Sequence, residues 1–237
     1  MRWLIKNIPN LFTLLNLSLG VLAINLVLTS NSEEAPVVHY YVLAAGICDL
    51  LDGFLARKLK VQSAFGLQLD SLADLITFGV LPMFIYATYV PLEGWGILLL
   101  LVPICSAIRL AIFNLDDSQK SVFKGISTTA HGVFVALLPI IIYNHSDWVG
   151  SFLNDNPEGL LIMAVFFSWL MVSPLRMISL KFNDWSLKSN WQRYLLILSS
   201  MVFVLVLEYE SAPFIMLFYI LLSVTSNFGS LSNKSTD

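Results

Sequence analysis

The fold is decided by residues 47–79, which read ICDLLDGFLARKLKVQSAFGLQLDSLADLITFG. This stretch sets four aspartates in or beside apolar helical sequence: Asp49, Asp52, Asp70 and Asp74. With 3.6 residues per helical turn, the first pair shares a helix face at i, i+3 and the second pair at i, i+4. The short link over 58–64 makes the two helices antiparallel neighbours. We therefore expect all four carboxylates to meet at one end of the two helices.

The composition of the 237 residues excludes a soluble domain. Hydrophobic residues make up 57% of the chain and charged residues 12%, with a mean hydropathy of +0.77, whereas soluble domains are about a quarter charged. Long aliphatic runs and 13% aromatic residues exclude disorder. Cys48 and Cys105 lie inside apolar runs, which predicts buried free thiols rather than a disulfide scaffold. A polytopic helical membrane protein remains, and no nucleic-acid partner is expected.

The predicted fold is an all-α membrane bundle of about eight transmembrane helices. A helix needs about 20 mostly apolar residues to span a bilayer. Eight stretches qualify, near residues 11–29, 37–58, 69–90, 94–114, 128–144, 158–180, 191–208 and 212–228.

The distribution of cations predicts the orientation of these helices. With eight spans, all 13 Lys and Arg residues fall on one side of the membrane. The opposite loops, near 30–36, 91–93, 145–157 and 209–211, carry acids instead. The positive-inside rule makes the basic side cytosolic. We therefore expect an integral protein of the bacterial inner membrane, with both termini and the aspartates on the cytosolic side.

Four carboxylates within membrane spans indicate a bound cation. A carboxylate in a span costs several kcal/mol unless it is paired, hydrated or ligating, and four together would repel one another. Ligation by carboxylate oxygens alone suits hard cations such as Mg²⁺ or Mn²⁺. Two ions bridged by shared carboxylates would fit four acids.

Small residues beside the aspartates have two interpretations. Gly53, Ala56 and Gly66 either allow close helix packing or leave room for a ligand near the backbone. Arg57 follows directly, at the predicted cytosolic edge. A phosphate bridged by metal ions and held by Arg57 would account for both the acids and the small residues.

The segment resembles the CDP-alcohol phosphatidyltransferases, whose signature it matches in full: Asp49-x2-Asp52-Gly53-x2-Ala56-Arg57-x8-Gly66-x3-Asp70-x3-Asp74. The resemblance implies that a CDP-linked lipid gives its phosphatidyl group to an alcohol and releases CMP. It also implies that two divalent cations are held by Asp49, Asp52, Asp70 and Asp74, with Asp74 also the general base. The CDP-lipid site would be lined by Asp49, Gly53, Ala56, Arg57 and Gly66.

The same resemblance implies a six-helix core that is often dimeric. Residues 1–183 are therefore expected to form the catalytic membrane domain, and residues 184–237 two additional transmembrane helices with a polar tail. A homodimer is the expected assembly. Asn10 and Thr13 are expected to face the nucleotide, although Asn10 could instead cap the first span after Pro9.

Four further stretches resemble the phosphatidylserine synthases of bacteria and archaea, a branch of this family. They are IPNLFTLLNLSLGVLAI (8–24), DSLADLITFGVLP (70–82), AIRLAIFNL (107–115) and LMVSPLRMISLKF (170–182). This resemblance implies CDP-diacylglycerol as the donor and L-serine as the acceptor.

A serine pocket needs a cation for the serine carboxylate, and Arg109 is the only Lys or Arg well inside a predicted span. We expect it to bind a carboxylate or phosphate, with Lys124 and Arg176 as further acceptor-binding candidates. The alternatives for Arg109 are a structural pair with Asp116 or Asp117, or snorkelling to the membrane interface.

Two other functions compete with serine transfer. An acceptor that carries phosphate, such as glycerol 3-phosphate or inositol phosphate, would call for a denser cationic pocket than Arg109 provides. A divalent-cation transporter would also place carboxylates in the membrane. The acids lie toward one side, however, rather than at the midplane between inverted repeats, and Arg57 would repel a cationic cargo.

Overall fold

The computed structural model describes residues 2–29, 37–116, 124–143, 148–178 and 186–232. Its α-helices are α1 (Arg2–Thr29), α2 (Val38–Lys58), α3 (Ala64–Asp74), α4 (Leu81–Ala87), α5 (Leu101–Leu115), α6 (Thr128–Tyr143), α7 (Trp148–Asp155), α8 (Pro157–Val172), α9 (Leu187–Leu207) and α10 (Ser211–Ser232). A π-helical segment, Leu75–Val80, joins α3 to α4, and 3₁₀ segments precede α5 and α10. The predicted all-α class is confirmed.

The structure confirms several membrane-spanning helices but not the predicted number of eight. Within the described ranges, five helical runs are long and apolar enough to cross a bilayer: Lys6–Thr29, Val38–Lys58, Ala64–Ala87, Gly94–Leu115 and Asn190–Ser226. Helices α6 and α7 would add a sixth if that bent pair is one span. Helix α8 is apolar but has only 16 residues. The count of eight is therefore not confirmed.

The last of these runs is a helical hairpin. Glu208 has a φ of +46°, a left-handed value that interrupts the helix. The ring of Phe203 in α9 lies 6.3 Å from the rings of both Phe214 and Phe218 in α10. A continuous helix rising about 1.5 Å per residue would hold these rings much farther apart. Helices α9 and α10 therefore lie side by side.

The outer surface of the helices is apolar. On α1, for example, Leu11, Leu15 and Leu22 are each exposed by half or more. Contiguous apolar surface on this scale is unfavourable in water and suits a lipid environment. The chain is an integral membrane protein.

The π-helical segment Leu75–Val80 lies at the centre of the bundle, in contact with α1, α5 and α6. Thr77 and Phe78 are fully buried. Neighbouring helices approach so closely that a side chain on Gly20 would overlap Thr77, and a Cβ on Gly132 would lie 2.8 Å from Phe78. π-helical turns are rare and occur often at functional sites. This one begins directly after Asp74.

Part of the predicted charge partition lies outside the described residues. That part includes the cations Lys120, Lys181 and Lys234 and the acids Glu33, Glu34 and Asp147. Asp117, an alternative partner of Arg109, also lies outside the described residues. The predicted domain boundary between residues 183 and 184 also lies outside them. The orientation and the division into two domains therefore stay predictions.

Candidate active site

The link between α2 and α3, residues 59–63, reverses the chain over a short distance. Lys60 adopts a φ of +55°, in the left-handed region where many helices end. Ser63 then caps α3, because its Oγ accepts a hydrogen bond of 3.0 Å from the backbone nitrogen of Gly66. Both α2 and α3 pack against α1. The aspartates of the two helices are thereby brought to the same end of the bundle.

Asp49, Asp70 and Asp74 form the centre of the site. Each offers a carboxylate oxygen, and these oxygens all lie within 4.8 Å of one another. Asp74 is only 8% exposed, whereas Asp49 and Asp70 are partly accessible. Oδ1 of Asp70 is buried and has no hydrogen-bond partner among the described residues.

This donor set fits a hard divalent cation. Three carboxylates at such distances repel one another in a weakly polar surrounding. Oxygen ligands are those that Mg²⁺ and Mn²⁺ prefer. A cation bound among the three would both offset the repulsion and supply a partner for the buried oxygen of Asp70.

Asp52 belongs to the site but not to the group of three. The Thr13 hydroxyl donates a hydrogen bond of 2.6 Å to Oδ2 of Asp52, and both side chains are buried. The Asp52 carboxylate is still close enough to Asp49 and Asp70 to interact electrostatically. The structure therefore assigns Thr13 a contact with an acid of the signature, and the role of Asp52 as a metal ligand stays a prediction.

Small residues beside the acids allow polar side chains to approach the backbone closely. A Cβ on Gly66 would lie 3.2 Å from Oδ1 of Asn10, and a Cβ on Gly53 would lie 3.4 Å from Nη1 of Arg57. Arg57 is exposed and its guanidinium folds back over Gly53, while Gly53 and Ala56 are half-buried. Of the predicted nucleotide-binding residues, Gly53, Ala56 and Gly66 are thus partly exposed on the helices that carry the aspartates, whereas Thr13 is buried. Their binding role stays a prediction.

The alternative in which Asn10 caps the first span is wrong. Helix α1 begins at Arg2 and continues through Pro9, so Asn10 lies inside a helix rather than at its start. Its Nδ2 donates a hydrogen bond of 3.2 Å to Oδ1 of Asn7.

Asn16 is a site residue that the signature does not include. Its Nδ2 donates a hydrogen bond of 3.2 Å to Oδ1 of Asp74, and its backbone carbonyl accepts one of 3.2 Å from the Thr77 hydroxyl. The side chain is fully buried. Thr13 and Asn16 are one helical turn apart, so a single face of α1 contacts both Asp52 and Asp74. The sequence signal for Asn16 was a polar amide one helical turn after Thr13 in an otherwise apolar span.

Replacing Asn16 by alanine should lower kcat by about 10- to 100-fold, because a hydrogen bond to a charged group contributes about 1.5–3 kcal/mol. The KM values for both substrates should change little, since Asn16 orients Asp74 rather than a substrate. Steady-state kinetics would measure this. Ser18→Ala is the matched control, because the exposed Ser18 hydroxyl bonds to the carbonyl of Leu14 in its own helix. A kcat within twofold of wild type for Asn16→Ala would exclude this role.

Arg109 lies deep in the bundle near the acids. It is only 7% exposed, and its Nη1 donates a hydrogen bond of 3.3 Å to the Thr128 hydroxyl. The guanidinium is within electrostatic range of the Asp74 carboxylate. It lies 6.0 Å from the ring centroid of Phe113. A side chain buried in this way does not snorkel to the interface.

The other two acceptor-binding candidates lie on neighbouring segments. Lys124 and Arg176 are joined by an isolated antiparallel bridge. The ammonium group of Lys124 also forms an ion pair of 3.4 Å with Asp116. Arg176 is exposed. The structure brings the two cations together, and their binding of the acceptor stays a prediction.

Residues 6–173 match the family model described as CDP-alcohol phosphatidyltransferase. This match includes all four aspartates and helices up to α8, and the chain belongs to this family. The resemblance found in the signature is confirmed.

Relatives within the family are named for serine as acceptor. The chain is 37% identical over 207 residues to the CDP-diacylglycerol–serine O-phosphatidyltransferase of Helicobacter pylori, covering 84% of this chain and 83% of the relative. It is 34% identical over 172 residues to the Bacillus subtilis protein of the same name, covering 71% and 88%. It is also 30% identical over 172 residues to the archaetidylserine synthase of Methanothermobacter thermautotrophicus, covering 71% and 68%.

Proposed function

We propose that the chain is a CDP-diacylglycerol–serine O-phosphatidyltransferase, which transfers the phosphatidyl group from CDP-diacylglycerol to L-serine and releases CMP. The observation that carries this proposal is the set of three aspartate oxygens within 4.8 Å of one another in the membrane bundle. Serine as the acceptor is supported by the names of the Helicobacter and Bacillus relatives.

Two divalent cations, Mg²⁺ or Mn²⁺, would be held by Asp49, Asp70 and Asp74 together with Asp52. When bound, they supply positive charge that neutralises the diphosphate and stabilises the charge that develops on the departing CMP. The buried oxygen of Asp70 that has no partner among the described residues supports such a site.

Asp74 is the proposed general base. Its carboxylate takes the proton of the serine hydroxyl as the serine oxygen bonds to the lipid-side phosphorus, and the bond from that phosphorus to the CMP oxygen breaks. Asn16 holds Oδ1 of Asp74 by a hydrogen bond of 3.2 Å, which fixes the orientation of the carboxylate. A direct displacement of this kind needs no covalent intermediate on the protein.

Substrate-binding roles are proposed for the remaining residues. On the donor side, Arg57 binds phosphate beside Gly53, and Asn10, Thr13, Ala56 and Gly66 border the CDP moiety. On the acceptor side, Arg109 binds the serine carboxylate, because a buried guanidinium forms strong charge-assisted bonds with carboxylates. Lys124 and Arg176 add positive charge to the acceptor side.

The proposed setting is the bacterial inner membrane with the site and both termini on the cytosolic side. The cations Arg57, Lys58 and Lys60 beside the acids support this orientation through the positive-inside rule. A homodimer is proposed as the assembly. Residues 1–183 are proposed as the catalytic domain and residues 184–237 as the added helices.

One assay tests the reaction and the acceptor together. Purified protein is incubated with CDP-diacylglycerol and, separately, serine, glycerol 3-phosphate or inositol, with and without EDTA, and products are identified by mass. We expect CMP and phosphatidylserine when serine is the acceptor, and no phospholipid product with the other two acceptors. No product should form in the presence of EDTA. A phospholipid product formed only from glycerol 3-phosphate or inositol would overturn the acceptor. Mn²⁺ flux into proteoliposomes without any CMP release would overturn the enzyme assignment in favour of transport.

A further inference from the structure

We infer that helix α10 shapes the acceptor half of the site, with Tyr219 and Ser223 as positioning residues. This inference rests on the proposed function. Helix α10 lies outside residues 6–173, the part of the chain that the family model matches. The roles of Tyr219 and Ser223 are to hold the segment that carries Arg176 rather than to touch the substrate.

Both polar groups of one peptide residue are held by α10. The Tyr219 hydroxyl donates a hydrogen bond of 3.1 Å to the carbonyl oxygen of Ile178. The backbone nitrogen of Ile178 donates one of 3.2 Å to Oγ of Ser223. Tyr219 and Ser223 are four residues apart and so lie on the same helix face. Ile178 is thereby fixed from both its donor and its acceptor side.

The segment held in this way carries Arg176 and pairs with the segment that carries Lys124. It leaves α8 after Val172, and Arg176 lies two residues before Ile178. The backbone nitrogen of Gly125 donates a hydrogen bond of 2.8 Å to the carbonyl of Leu175, and the adjacent Lys124 pairs with Arg176 in the antiparallel bridge. The position of both cations therefore depends on where α10 holds the end of the segment.

The third candidate lies close to the same helix. The Tyr219 hydroxyl is within electrostatic range of the Arg109 guanidinium, whose Nη1 also bonds to Thr128 at the start of α6. Helix α10 contacts α6 as well. Tyr219 thus contacts the segment that carries Arg176 and lies within electrostatic range of Arg109.

Anchoring alone would not require these polar side chains. Elsewhere on α10, Ala212 and Met216 pack into the apolar core. A hydroxyl in a membrane helix is costly unless it is hydrogen-bonded. The Tyr219 hydroxyl instead donates to Ile178. The Ser223 hydroxyl donates to the backbone carbonyl of Tyr219, and its Oγ accepts from the Ile178 nitrogen. Precise placement of a binding site needs such supporting bonds, because the binding side chains themselves are long and flexible.

The test is the kinetics of Tyr219→Phe, which removes the hydroxyl and keeps the ring. We expect the KM for serine to rise by about 3- to 10-fold, the effect of losing one hydrogen bond. The kcat and the KM for CDP-diacylglycerol should stay within about twofold, because binding of only one substrate is affected. Tyr143→Phe is the matched control, since Tyr143 is exposed at the far end of α6. Its KM for serine should not change.

Ser223→Ala is a second variant that tests the same contact from the other side. It should also raise the KM for serine, and it tests the inference if Tyr219→Phe does not fold. Ser199→Ala is its control, because the Ser199 hydroxyl bonds to Leu196 within α9. An unchanged KM for serine, or an equal loss toward both substrates, would overturn the inference. Wild-type protein that does not use serine would instead overturn the proposed function.

Discussion

Replacing Asp74 by asparagine is expected to lower kcat by about 10²- to 10⁴-fold, the usual contribution of a general base. Asparagine has nearly the same size and can still accept the hydrogen bond from Asn16, but it cannot take the proton of the acceptor hydroxyl. Binding of CDP-diacylglycerol should weaken much less than turnover. CMP release at saturating serine measures the first quantity, and calorimetric titration with CDP-diacylglycerol measures the second.

The matched control is Asp155→Asn, which makes the same chemical change at an exposed position at the end of α7. Its turnover should equal that of the wild type. Near-normal turnover in Asp74→Asn would refute the assignment of Asp74 as the base. A loss of donor binding as large as the loss of turnover would show that Asp74 acts mainly as a metal ligand.

Replacing Asp70 by asparagine is expected to remove both activity and the stabilisation of the fold by metal. A ligand that binds only the folded state at about 100 times its Kd stabilises that state by about 2.7 kcal/mol. Loss of a ligand should lower metal affinity by at least about 10- to 100-fold, since partners one layer further out already have effects of that size. The melting temperature in detergent, with Mn²⁺ or with EDTA, measures the change.

The sign of the effect in EDTA is also predicted. Without metal, Asp70 adds a third negative charge to the group of carboxylates within 4.8 Å. In EDTA, the melting temperature of Asp70→Asn should therefore be no lower than that of the wild type. The increase in melting temperature that Mn²⁺ causes in the wild type should be lost in the variant. Glu93→Gln is the control, because Glu93 is an exposed acid away from the group, and it should keep the full increase. A wild-type response to Mn²⁺ in Asp70→Asn would exclude this metal site.

The meeting of Asp49, Asp70 and Asp74 could be predicted because it depends on local geometry. Helical spacing fixed which acids share a face, and the short link between α2 and α3 fixed which ends come together. The hydrogen bonds from Thr13 to Asp52 and from Asn16 to Asp74 could not be predicted, because they depend on how α1 is rotated against its neighbours. That rotation is set by tertiary packing rather than by the sequence of α1.

The composition predicted a helical membrane protein but not its number of spans. Hydropathy depends on the side chains in a window, and it does not report where the backbone changes its hydrogen-bonding pattern. The π-helical turns after Asp74, inside the run Ala64–Ala87, are such a change. The break between α9 and α10 was predicted, because the acidic loop near 209–211 interrupts the apolar sequence. The length of α8 could not be read from hydropathy, because the apolar sequence continues past Val172 where the helix ends.

The π-helical segment Leu75–Val80 changes how the two ends of the continuous helical run Ala64–Ala87 are rotated relative to each other. Each π turn encloses one residue more than an α turn, since its hydrogen bonds run from i to i+5. The extra residue rotates the later side chains around the helix axis by about 100° relative to an unbroken α-helix. The number of residues between Asp74 and Leu81 therefore sets the dihedral angle between the acidic face and the core-packing face, independently of which side chains occupy that interval.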